Sequence, residues 1–108
     1  MAKTITIPYK DREYVLEYSR ETIEIMEKQG FNISAIEDKP MTILPMLFEG
    51  AFLKNHRFVK KEVIREIFAM MGNKMDLVQR LAIMYNEPIE AMLDEPDEAK
   101  KVTWEANW

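Results

Sequence analysis

The chain has 108 residues, 47% apolar and 31% charged, enough for one domain with a modest core and an ordinary globular balance. It has no cysteine, which excludes disulfides and thiol chemistry and makes a reducing cytoplasm the expected setting; no apolar run approaches the roughly 20 residues of a membrane span. The net charge of −4 is uneven: residues 94–108 hold five acids and two bases (−3), the first 93 hold 14 acids and 13 bases (−1), so general nucleic-acid affinity is not expected.

The N-terminus, MAKTITIPYK, lacks the apolar core of a signal peptide and instead alternates. In TITIPYKDREYVLEY, Ile5 and Ile7 share one face, and Tyr14, Leu16 and Tyr18 share a face of a second run. Two such runs flanking Tyr9-Lys10-Asp11-Arg12 predict a β-hairpin, with Pro8 near a strand end where a missing N–H is tolerable. A lone hairpin is unstable in water, so this one must lean on helices or pair with another chain.

Ser19 is a suitable N-cap for RETIEIMEKQ, with Glu21 near the positive end of the helix dipole and Gly30 closing the C-terminus. Ile23 and Met26 give that helix a narrow apolar stripe, from which Ile25 is offset. FNISAIEDKP reads as a connector pinned by Phe31, Ile33 and Ile36, with Asp38 capping the next helix and Pro40 in its first turn.

MTILPMLFEGAFLKNHRF is the most apolar segment, and Leu44, Leu47, Phe48, Ala51 and Phe52 recur at core-facing helical spacing. Met41, Ile43, Met46 and Leu53 widen the apolar surface, so this helix is central or shared with a neighbour. Pro45 kinks it or marks its start, and Gly50 fits a close helix crossing. KKEVIREIFAMMG repeats the spacing at Val63, Ile64, Ile67, Phe68 and Met71 and ends at Gly72. Asn73 is expected to cap KMDLVQRLAIMYN, with Asp76 at the third position and a stripe of Leu77, Val78, Leu81, Met84 and Tyr85. Asn86-Glu87-Pro88 then starts a short separate helix, IEAML. Apolar periodicity stops after Leu93. The expected fold is α+β, mostly α: an N-terminal β-hairpin, a bundle of four to five helices within a single domain over 1–93, and a flexible acidic tail over 94–108.

Residues suited to catalysis are scarce, and no enzyme activity, cofactor or metal site is expected. His56 is the only histidine and suits a helix C-terminal charge partner better than a base or ligand. Glu62 and Glu66 sit at i, i+4 beside Arg65, as on a solvated face, and the three glycines form no phosphate loop. KNHRFVKK, residues 54–61, is the strongest charge feature, with Lys54, Arg57, Lys60 and Lys61 and no acid. A basic patch with Phe58 interleaved could touch nucleic acid. The stronger reading has Lys54, His56 and Arg57 complement the C-terminus of the central helix. Docking of an acidic segment, the chain's own tail or a neighbour's, is the third reading.

The run EKQGFNISAIEDKPMTILPMLFEGAFLKNHRFVKKEVI, followed by NEPIEAMLDEPDE and a Trp-bearing end, resembles the tail assembly chaperones of siphoviruses and prophages of Gram-positive bacteria, counterparts of the lambda-type tail chaperone. The similarity covers nearly the whole chain, through structural rather than chemical motifs. It implies a protein of the bacterial host cytoplasm, a homo-oligomer that coats the tape-measure protein and keeps it soluble until tube subunits polymerise. It also implies a programmed ribosomal slip that often appends a second domain, which Ala99-Lys100-Lys101 permits in its codons. Such a role needs an adaptable apolar helical surface, for which methionine suits, and Met41, Met46, Met70, Met71, Met75, Met84 and Met92 lie in the helical region. The candidate contact residues are Met46, Phe48, Phe52, Phe68, Met71, Met84, Trp104 and Trp108. The alternatives are a structural tail or head-completion protein, and a small nucleic-acid-binding regulator using the basic patch.

Both tryptophans fall in the closing VTWEANW, beyond the acidic DEPDEAKK. They read either as an anchor folded back onto the domain or as a linear motif that docks a partner or a neighbouring subunit.

Overall fold

A computed structural model describes residues 3–94 and 98–108. Strands β1 (Ile5–Tyr9) and β2 (Arg12–Leu16) form an antiparallel hairpin in which Ile5 faces Leu16 and Tyr9 faces Arg12. The turn is Lys10-Asp11, with Lys10 in the left-handed region at φ 56°. Alternation directs Ile7, Tyr14 and Leu16 into the core, and Tyr18 follows them just beyond β2. The hairpin leans on helices, as its marginal stability requires.

Helix α1 (Arg20–Lys28) opens with a reciprocal cap: the Thr22 N–H donates to Ser19 Oγ, and the Ser19 N–H donates to Thr22 Oγ1. Thr22 is thereby satisfied where it is buried beside Ile23 and Met26. Gly30 adopts φ 92° after the helix, the left-handed stop that glycine permits without strain. Phe31 is buried, and Ile33 and Ile36 pack half-buried around a single 3₁₀ turn.

Helix α2 (Pro40–Gly50) packs against α1, α3 (Lys61–Met70) and α4 (Lys74–Met92). Its start differs from expectation, because Lys39 occupies the N-cap with no side-chain bond and Asp38 does not cap. Its inward face also differs: Ile43 is buried with Leu47, Phe48, Ala51 and Phe52, while Leu44 is only half-buried. The regular helix ends at Gly50, earlier than the apolar spacing suggests. From there Ala51, Phe52 and Leu53 donate three residues back, to Phe48, Glu49 and Gly50. The Leu47 carbonyl accepts instead from the Tyr18 hydroxyl at 2.6 Å. At Gly50, α1 crosses so closely that a Cβ would collide with Met26 Cε and Sδ.

Aromatic rings tie the layers together: Phe48 meets Phe52 at 5.2 Å and Phe68 at 5.0 Å, and Tyr85 meets Tyr18 at 5.6 Å and Phe31 at 5.2 Å. α3 contributes Ile64 and Ile67 to the core and leaves Val63 and Phe68 half-buried, with Met71 half-buried just past its end. Lys74 Nζ donates to the Ala69 and Met71 carbonyls and so covers that end. Asn73 precedes α4 in a left-handed conformation (φ 52°) without a side-chain cap bond, contrary to the capping role expected of it.

α4 is one helix of 19 residues, not two. Pro88 lies inside it, and the expected break at Asn86-Glu87-Pro88 is absent. A proline there forfeits one bond, from its own missing N–H to the Met84 carbonyl, and the remaining turns carry the helix on. Four α-helices therefore follow the hairpin. Beyond Met92, residues 98–100 form a single 3₁₀ turn, and residues 101–108 have no regular structure. The acidic linker read over 94–101 includes residues 95–97, which lie outside the described residues.

Candidate partner-binding surface

The basic run is divided by the fold. Its first part closes the outer edge of β2, where an unpaired strand would otherwise present bare backbone groups. Val15 N–H donates to His56 Nε2 at 2.9 Å, Asn55 Nδ2 donates to the Val15 carbonyl at 3.2 Å, and Glu17 N–H donates to the Ala51 carbonyl at 3.0 Å. His56 therefore serves a strand rather than the end of the central helix. Accepting that bond requires a lone pair on Nε2, so the ring is neutral with its proton on Nδ1. Lys54 Nζ bonds Glu17 Oε2 at 2.7 Å, and this hydrogen bond holds the Glu17 carboxyl below its ordinary range. The second part faces outward: Arg57, Lys60 and Lys61 are exposed, and Phe58 is 95% exposed.

Between the end of α2 and α3 lies a groove of about 460 Å³. Met46, Leu53 and Val59 line it, half-buried, with Arg57, Lys61 and Arg65 as cations and Glu49 as its acid. Arg65 Nε donates to Glu49 Oε1 at 3.1 Å across the groove.

A second groove, about 300 Å³, runs between α1 and the last turns of α4. Ile23, Pro88, Ile89 and Met92 supply its apolar wall, with Glu24 and Glu27 at its edge. Met92 and Leu93 are 55% and 78% exposed, so the apolar stripe of α4 outruns the body that covers it. Ile89 escapes notice if IEAML is taken as a separate helix. The spacing Leu81, Tyr85, Ile89, Met92 read straight through Pro88 reveals it.

The candidate contact residues do not form one surface. Phe48, Phe52 and Met84 are core residues, buried to within a few per cent, and offer nothing to a partner in this fold. They fill the interior because three helices and the hairpin converge on their turns. Met46, Phe68 and Met71 are half-buried at its margin. Met41, Met70 and Met75 are strongly exposed. Trp104 and Trp108 are exposed too, Trp108 completely, so the folded-back anchor is not what this structure contains.

Among the described residues, no three His, Cys, Asp or Glu side chains gather where a metal ion could be held, and no helix is long and apolar enough to cross a membrane. Glu62 and Glu66 both face solvent. The Lys3–Glu87 pair, 2.8 Å, holds the first strand's approach to α4; its hydrogen bond raises the lysine and lowers the carboxyl relative to their ordinary values.

The model of a family described as a domain of unknown function, DUF5055, matches residues 1–108. No curated protein and no solved structure matches the chain.

Proposed function

We propose that this chain, which belongs to the DUF5055 family, is a non-catalytic binding protein that chaperones phage tail assembly by holding the tape-measure protein soluble in the host cytoplasm. The observation that carries this reading is the groove between α1 and α4, where Ile89, Met92 and Leu93 extend an apolar helical stripe past its cover. A groove of that kind accepts the apolar face of an amphipathic helix, and Met92 adapts to varied side chains. The tape-measure protein implied by the resemblance is long, apolar and helical, and presents many such faces. The basic run supports a nucleic-acid role less well, because Lys54 is engaged by Glu17 and His56 by β2.

Co-expression with the long tape-measure gene product of the same operon tests the reading. The expected result is a soluble complex, which Met92→Glu disrupts while the free protein keeps its helicity by circular dichroism. A tape-measure product equally insoluble with and without this chain would sink the proposal. So would recovery of the chain in purified virions, which points to a structural component.

A further inference from the structure

Two features of this molecule are complementary in polarity and charge. One is the α2–α3 groove, whose apolar Met46 and Leu53 are bordered by Arg57, Lys61 and Arg65 against a single acid, Glu49. The other is the C-terminal segment, with both tryptophans exposed and a net charge of −3 over residues 94–108. The groove is apolar with a cationic border, and the tail is aromatic with an anionic flank. Both components of the match are present, and burying a tryptophan is among the largest single contributions a binding contact can make.

We infer that the Trp104–Trp108 tail of one copy docks in the α2–α3 groove of a second copy, and that two copies exchange tails reciprocally. The single chain leaves residues 101–108 exposed throughout, so its own groove is not their resting place. Exchange between two identical surfaces closes after two copies and leaves no free tail to propagate a filament. Lys61 and Arg57 meet the acidic flank, so the contact weakens as salt screens it.

The tail carries the chain's only tryptophans, so tryptophan emission, excited at the red edge where the four tyrosines do not absorb, reports on the tail alone. Full-length protein is followed across a dilution series by emission wavelength and light scattering. A dimer with blue-shifted emission is expected, reverting on dilution to a monomer with solvent-exposed emission. Trp104→Ala/Trp108→Ala removes the docking segment, and Lys61→Glu or Arg57→Glu reverses the border. Each should weaken dimerisation by at least about tenfold, as loss of an anchoring side chain does. All these positions are exposed, and circular dichroism verifies the fold. Mixing the tail-deficient and groove-deficient proteins should restore a dimer with blue-shifted emission, because an intact tail then meets an intact groove on another copy. Exposed emission at every concentration overturns the inference. So does blue-shifted emission from a monomer, which means docking within one chain, or dimers that survive both classes of variant.

Discussion

His56 is the residue on which the edge of the hairpin depends, since its ring supplies the acceptor for the Val15 N–H. It also meets the Tyr14 ring at 5.1 Å. His56→Ala strips both, leaving a half-buried donor unpaired, and should cost about 1–3 kcal/mol in urea unfolding. Its neighbour Lys54 contributes less, because surface pairs are screened. Lys54→Met should cost roughly 0.5–1 kcal/mol at neutral pH. The sign of its pH dependence follows from Glu17, whose carboxyl is held below its ordinary value of 4.5. Stability from that pair is complete above 4.5 and disappears as pH falls through the lower folded value, so the penalty for Lys54→Met should fade in acid. Unfolding midpoints of the two proteins at both pH values check this. The sequence shows His56 and Lys54 as members of a cationic run, and nothing local in it says that β2 lies beside them, more than 35 residues earlier in the chain.

At the scale of elements, proline and glycine set the outcome. Pro88 interrupts the bonding of α4 without ending it, at the turn where the helix passes α1. Pro88→Ala returns an N–H to the Met84 carbonyl, and should stabilise the protein by about 1–3 kcal/mol, read as a higher thermal midpoint. An unchanged or lower midpoint would show that the ring's packing against α1 outweighs the bond. Gly50 is the opposite case. Helix propensity favours alanine by up to about 1 kcal/mol, but the added methyl meets buried Met26, and overpacking costs about 1–3 kcal/mol. Gly50→Ala should therefore fail to stabilise in chemical denaturation, and combining it with Met26→Ala should cost less than the sum of the two changes. The close crossing at Gly50 is legible in the sequence, because a glycine inside an apolar helical run has few other uses. The continuity of α4 is not, since Asn86-Glu87-Pro88 carries the local signal of a helix start and only packing of the whole length tells otherwise.

For the whole molecule, the division between body and tail governs behaviour. Removing residues 102–108, which lie exposed, should leave the thermal midpoint of dilute protein within about 2 °C of the intact chain. A larger drop in dilute monomer would restore the folded-back anchor. The sequence by itself determined the hairpin, the core-facing stripes of its helices and the acidic, tryptophan-bearing end. Those follow from period-2 and period-3.6 burial, from caps and from composition, all of which act within a few residues. Only the tertiary structure decided that the core-facing Phe48, Phe52 and Met84 leave no surface for a partner while Met92 and Leu93 stand open, and that His56 belongs to β2. Amphipathic spacing names the face of a helix that seeks cover, but how far that cover extends depends on where distant segments end.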